Sequence, residues 1–178
     1  MKCNLLINGR FYDKEGNMIE LRGCIDEDFS NYKEPSMFLI TPRCDFKCCV
    51  EAGNNICQNM DVVKLPIIEV NEDDLIKRYL DNPITRAIVF GGLEPFYGDS
   101  FESIYWFIHK LRWDYDCFDP VIIYTGYNPE EKIDEVFRLS KLANVIIKFG
   151  RFIPDQPSHY DEILGIELAS PNQYAVKL

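Results

Sequence analysis

Residues 36 to 149 alternate between short, wholly apolar runs and longer stretches whose apolar residues recur at helical spacing. This alternation restricts the fold more than any other feature, because apolar strands separated by amphipathic helices build βαβ units around a parallel sheet. The strand runs are SMFLIT at 36–41, RAIVFGG with its strand at 86–90, PVIIYTGY with its strand at 120–124, and NVIIKFG at 144–149. None alternates apolar with polar residues, as expected of strands covered by helices. NEDDLIKRYLDN places Leu75, Ile76, Tyr79 and Leu80 on one stripe behind an Asn71 cap and stops at Asn82-Pro83. SFESIYWFIHKLRW turns Ile104, Phe107, Ile108 and Leu111 inward. NPEEKIDEVFRLSKLA reads as one helix, with Asn128 as cap, Pro129 in the first turn and Glu131 completing a capping box. IELAS and YAVKL are weaker strand candidates near the end.

The first part of the chain reads differently. Residues 4–12 and 18–25 predict a hairpin turned at Gly16-Asn17, and 26–35 predict a polar, turn-rich connection. The expected organisation is one domain over 1–178, with a hairpin extension at 1–35 and an α/β core at 36–178.

In open parallel sheets ligands bind at the carboxyl ends of the strands. The cysteine segment TPRCDFKCCVEAGNNICQN and the motifs GGLEP, TGY and KFGR each follow a predicted strand directly, so they are expected to gather at one edge. The cysteine segment holds four of the seven cysteines, with Cys44 and Cys48 separated by three residues and Cys57 by eight more. Cys49 is an alternative to Cys48. The odd cysteine total argues against a disulfide framework. A structural zinc site usually shows a second pair of ligands, and none is present near these thiols. The only histidines, His109 and His159, lie far along the chain, and no C-x-x-C redox pair occurs. Three thiolates on an iron–sulfur cluster remain, an arrangement that leaves one iron of a four-iron cluster open to a small molecule.

A strand leading into C-x3-C, a third cysteine nearby and a later strand closing on GGLEP resemble the radical S-adenosylmethionine superfamily. The resemblance implies a partial open (β/α) barrel with a small N-terminal hairpin, a [4Fe-4S] cluster on Cys44, Cys48 and Cys57, and S-adenosylmethionine bound at the open iron. It places cofactor contacts at Gly91, Gly92, Glu94, Pro95, Thr125, Lys148 and Asn172. Glycines let backbone oxygens approach an ammonium group, which fits a contact to the methionine amine. Within the superfamily, CQN at 57–59, YTGY at 124–127, KFGRF at 148–152 and SPNQ at 170–173 are similar to motifs of the activating proteins of anaerobic ribonucleotide reductase. That similarity implies an enzyme that generates a 5′-deoxyadenosyl radical and installs a glycyl radical on the large reductase subunit, with a reductant such as flavodoxin. Three departures stand out: the C-x3-C-x8-C spacing where the family has C-x3-C-x2-C, the extra Leu93 in GGLEP, and Phe149 where the activases carry Asp. Lys148 beside it is placed to meet the carboxylate of S-adenosylmethionine, as a strand-end lysine does in related activases.

Two other functions fit the same residues. One is a radical enzyme acting on a different peptide or a small molecule; the other is a non-catalytic, cysteine-rich metal-binding module. The formal charge of −10 disfavours a nucleic-acid partner. No apolar run approaches the ~18 residues a membrane span needs. The N-terminus lacks the pattern of a signal peptide, and a cytoplasmic setting, where thiols stay reduced, is expected. Cys3, Cys24 and Cys117 are expected as small buried apolar residues, His109 at a core edge and His159 in a loop. The bland reading of Thr125, Asn172 and Gln173 is local backbone capping.

Overall fold

The computed structural model describes residues 17–178 and, before them, the backbone of residues 5–7 and 10–12. The first half holds β1 (Leu5–Ile7), β2 (Arg10–Tyr12), β3 (Met18–Leu21), β4 (Gly23–Asp28), β5 (Ser36–Ile40), α1 (Lys47–Ala52), β6 (Ile68–Asn71) and α2 (Glu72–Leu80). The second half holds β7 (Ala87–Gly91), α3 (Ser100–Trp113), β8 (Val121–Tyr124), α4 (Ile133–Leu139), β9 (Val145–Phe149), β10 (His159–Asp161), β11 (Ile166–Leu168) and β12 (Tyr174–Lys177). The fold is mixed α/β around a six-stranded sheet in the order β4-β5-β7-β8-β9-β12. Its four central strands are parallel, and the edge strands β4 and β12 run antiparallel to their neighbours. The edges do not pair with each other, so the sheet is open rather than closed into a barrel.

The parallel strands follow one another in chain order. Right-handed crossovers between strands added always on the same side carry their helices to the same face. The core shows this. Leu39, Phe90, Ile123 and Ile147 stand level across the sheet and pack with Leu75, Ile76 and Tyr79 of α2, with Ile104, Phe107 and Leu111 of α3, and with Leu139 of α4. The alternate residues Ala87, Val89, Ile122 and Ile146 point the other way, to a smaller core completed by Tyr32, Leu164 and Leu168. The β10–β11 hairpin and the 29–35 segment supply that second cover, joined by the Lys33 N–H bond to the Leu164 carbonyl at 2.7 Å.

Local chemistry explains the helix ends. Asn71 Oδ1 accepts from the backbone N–H groups of Asp73 and Asp74, capping α2 as its sequence predicts. The capping box of Asn128 and Glu131 forms as well, but the helix it was expected to begin is broken. Residues 129–131 make one 3-10 turn, Lys132 leaves helical geometry at φ −140° and ψ 39°, and α4 starts afresh at Ile133. Leu80, expected on the buried stripe, is 43% exposed at the last turn of α2.

The expected N-terminal hairpin is also corrected. β1 pairs with β2, β3 pairs with β6, and β4 joins the main sheet beside β5, so residues 18–25 split between two sheets. The core therefore begins before residue 36. Arg22, at the break between β3 and β4, donates to the Pro42 carbonyl (2.7 Å) and the Val63 carbonyl (2.6 Å), which draws the chain across. Cys3 and Gly16 lie outside the described residues. Cys117 is buried, as expected, whereas Cys24 is only half-buried and His159 sits in β10 rather than in a loop. No described helix is long and apolar enough to cross a membrane.

Phe107 is fully buried and meets Phe90 edge to face, with ring centroids 5.5 Å apart. Phe107→Ala removes that contact between α3 and the sheet and leaves a cavity, so equilibrium denaturation should show a loss of about 3–5 kcal/mol.

Candidate functional site

Because β5, β7, β8 and β9 are parallel, the loops that follow them meet at one edge. Backbone hydrogen bonds knit these loops together. The Thr41 N–H donates to the Gly91 carbonyl (2.9 Å), Glu94 N–H to Arg43 (2.9 Å), Thr125 N–H to Lys148 (2.9 Å), and Gly150 N–H to Tyr127 (3.2 Å). Against them lies a cavity of about 580 Å³. That is within the range of about 300–1,000 Å³ typical of small-ligand sites.

Cys44, Cys48 and Cys57 all line this cavity, together with Gly92, Glu94, Thr125 and Lys148. Cys49 does not: it lines a separate outer groove with Phe46, Val50 and Met60, its sulfur 4.0 Å from that of Cys48 and 3.6 Å from Asn55 Oδ1. Burial pushes the Cys44 thiol up to about 12 and the Cys48 thiol up to about 11. Without a compensating cation both sulfurs are therefore held protonated at neutral pH; a bound metal reverses that balance and deprotonates its thiol ligands. Among the described residues no three His, Cys, Asp or Glu side chains close around a single ion.

Glu94 is buried and well satisfied. It accepts from the Thr125 hydroxyl (2.7 Å), the Gly126 N–H (2.8 Å) and the Phe96 N–H (3.0 Å). Burial pushes its carboxyl up, opposed by those three bonds. Thr125 thus orients a carboxylate, a role distinct from the direct cofactor contact expected of it. Lys148 is 7% exposed, and its ammonium donates to the Gly150 carbonyl at 2.9 Å. Burial lowers it to about 8. Strand alternation sends Lys148 to the cavity and Phe149 to the helix-side core, so the lysine is the side chain β9 offers to a ligand.

The remaining expected residues are placed less directly. Gly91 and Pro95 are buried but do not line the cavity, and the Gly91 carbonyl is taken by the Thr41 N–H and hydroxyl. Gly92 does line it, at φ +80°, where a Cβ would lie 2.9 Å from Ile40 Cγ2; only glycine fits. Asn172 is exposed and donates to the Arg151 carbonyl (2.8 Å), while its neighbour Gln173 lines the cavity and reaches the Gly150 carbonyl (3.3 Å). Gly150, at φ +94°, lies so close to Asn172 that a Cβ would stand 2.5 Å from that residue's carbonyl oxygen. The SPNQ segment therefore meets the KFGR turn through backbone contact.

Two residues of the YTGYNPEE run, Tyr127 and Glu131, make contacts beyond those expected of them. Tyr127 donates its hydroxyl to Asp45 Oδ2 at 2.6 Å. Glu131 pairs with Lys47 and takes a two-pronged bond from Arg151 (2.9 and 2.7 Å), which with burial opposing it and Lys47 assisting holds its carboxyl down at about 2. The signal available in sequence was the TGYNPEE run itself, which shows the cap role of Glu131 but not its distant partners.

Neither models of known protein families, nor curated proteins, nor solved structures yield a match to this chain.

Lys148 supplies a test by pH. Its folded value, about 8, lies below the ordinary 10.5, so between those limits the unfolded chain holds a proton the folded chain has lost, and stability rises with pH across that window. Lys148→Met should be more stable than the parent by about 1–3 kcal/mol near pH 7, with the gap closing as the pH rises toward about 10 in parallel denaturant titrations.

Proposed function

We propose that this protein is a radical S-adenosylmethionine enzyme, and that its sheet is the partial (β/α) barrel of that superfamily. The observation that carries the reading is the composition of one cavity. Cys44, Cys48 and Cys57 share it with a buried carboxylate, Glu94, and a buried ammonium, Lys148, while Cys49 faces outward. Two opposite charges buried in one cavity match an amino-acid zwitterion, the ammonium toward Glu94 and the carboxylate toward Lys148. The residues fit the group: three thiols would hold a [4Fe-4S] cluster and leave an iron for the methionine part of S-adenosylmethionine.

When bound, the cluster would supply the electron that cleaves the sulfonium to methionine and a 5′-deoxyadenosyl radical. The chain's own residues bind and orient. Glu94 is set by Thr125 and Gly126; Gly92 permits close approach at the strand end; Leu93, buried in the wall, helps exclude water. Ile25, Phe38, Ile166 and Leu168 give the lining an apolar share, beside the polar Ser30, Asn31 and Glu167. Of the cations lining the cavity, Lys47 and Arg151 are paired with Glu131, which leaves Lys148 for a carboxylate. With no further unpaired cation among the described lining residues, an uncharged polypeptide segment suits the cavity better than a phosphorylated small molecule. The reading favoured is therefore removal of a hydrogen atom from a backbone glycine of the anaerobic ribonucleotide reductase large subunit, yielding 5′-deoxyadenosine and a glycyl radical, with a flavodoxin-type reductant.

Anaerobic reconstitution with iron and sulfide should give a brown protein absorbing near about 400 nm that releases 5′-deoxyadenosine from S-adenosylmethionine. Changing Cys44, Cys48 or Cys57 to Ala should reduce release to background, and Cys49→Ala should retain it. A colourless protein carrying stoichiometric zinc would overturn the proposal. Release of 5′-deoxyadenosine without a radical on the reductase would move the substrate elsewhere.

A further inference from the structure

The turn between the first two cavity cysteines, Cys-Asp-Phe-Lys-Cys at 44–48, holds itself by two local backbone bonds only, from the Phe46 N–H to Cys44 Sγ (3.3 Å) and from the Lys47 N–H to Asp45 Oδ1 (3.2 Å). Phe46 adopts the left-handed region at φ 53°, a conformation costly for a residue with a Cβ. The helix that follows, α1, has no side-chain cap and no buried residue. A short helix without a packed face has little stability of its own. Something outside the turn must fix it.

Two residues of the loop after β8 reach the turn on either side of Phe46. Tyr127 donates its hydroxyl to Asp45 at 2.6 Å, and Glu131 pairs with Lys47. Both are themselves anchored. Tyr127 is buried, its N–H donates to Thr125 Oγ1 (3.0 Å), and its carbonyl accepts from Gly150. Glu131 closes the capping box through Asn128 and is gripped by Arg151 (2.9 and 2.7 Å), which also lies 3.4 Å from Glu51 of α1. The Lys47 ammonium and the Arg151 guanidinium lie 5.4 and 5.5 Å from the centre of the Tyr127 ring. The two contacts thus share one neighbourhood.

We infer that Tyr127 and Glu131 form a two-point clamp that holds the Cys44–Cys48 turn in its strained shape, so that the loop after β8 sets the spacing of the first two thiols. They are positioning residues. The inference rests on the cluster assignment for its purpose but not for its geometry.

The test uses the reduced, metal-free full chain. Iodoacetamide is applied in short pulses under native conditions, and labelling is read at each cysteine by mass spectrometry. In Tyr127→Phe, in Glu131→Gln and in Lys47→Met, labelling of Cys44 and Cys48 should rise about tenfold, because release of one contact lets the turn open locally. Cys24 and Cys117, packed elsewhere, serve as internal controls and should not change. Tyr127→Phe together with Glu131→Gln should give less than the product of the single effects, since both contacts restrain one turn. Unchanged labelling at Cys44 and Cys48 in Tyr127→Phe and Lys47→Met overturns the clamp, and so does an equal rise at Cys117, which would signify general loosening. Should Glu131→Gln fail to fold, the other two variants decide the matter. Iron reconstitution adds an arm: iron retained per chain after gel filtration should fall in the variants, and parental retention counts against the clamp. A parent chain that binds no iron defeats the radical proposal and leaves the labelling result standing.

Discussion

The structure depends on the direction in which its parallel strands are added. β5, β7, β8 and β9 lie side by side in chain order, so each crossover returns on the same face and stacks its helix there. A sheet wound from the middle outward would cover both faces. This one leaves the second face to two small pieces, the 29–35 segment and the β10–β11 hairpin, and they cover only part of it. The bare remainder, at the carboxyl end, is where the cavity opens and where four loops converge. The site is thus a consequence of strand order before it is a consequence of any single residue.

Within the cavity, the arrangement of charge is costly. Glu94 and Lys148 are each almost fully buried, yet no direct ion pair joins them; each is satisfied by neutral hydrogen-bond partners. Burying a charge without a counter-charge lowers stability, and both groups register the strain in opposite directions, the carboxyl raised and the ammonium lowered. A core built only for stability would place apolar residues at these positions. Two separated, opposite charges in one cavity are what the proposed zwitterionic ligand would complete.

The elements legible in the sequence are those whose stability is local or periodic. α2 and α3 have a cap or a clear apolar stripe, and the four parallel strands are continuous apolar runs flanked by turn residues. The misread parts are governed by distant partners. β3 pairs with β6, a four-residue strand whose Ile68-Glu69-Val70-Asn71 alternation is short and at most half-buried, and β4 turns away from it to pair with β5, with Arg22 bonded to the Pro42 carbonyl. The helix expected over 128–143 breaks at Lys132, just after Glu131, whose side chain is drawn to Arg151 and Lys47. The site followed the same division. Cys44, Cys48, Cys57, Glu94 and Lys148 could be read from motifs beside strands, whereas Tyr127 and Asp45, 82 positions apart, meet only in the fold. Asn172 and Gln173 are equivalent in the sequence and differ in the fold, because Gly150 takes the Asn172 backbone into close contact and leaves Gln173 lining the cavity.

The long interval between Cys48 and Cys57 then has a physical counterpart. Closing a longer loop costs more chain entropy, though the cost grows slowly with length, and residues 50–55 are exposed and repay little of it. Such a loop needs fixed ends. At one end Asp45 and Lys47 are tied to the loop after β8; at the other, Arg22 donates to the carbonyls of Val63 and Leu65. The intervening segment is then free to carry Cys49 and Val50 on an outer surface without disturbing the inward thiols. On this view the extra residues are tolerated because the ends of the loop are held by side chains outside it, Tyr127 and Glu131 at one end and Arg22 at the other.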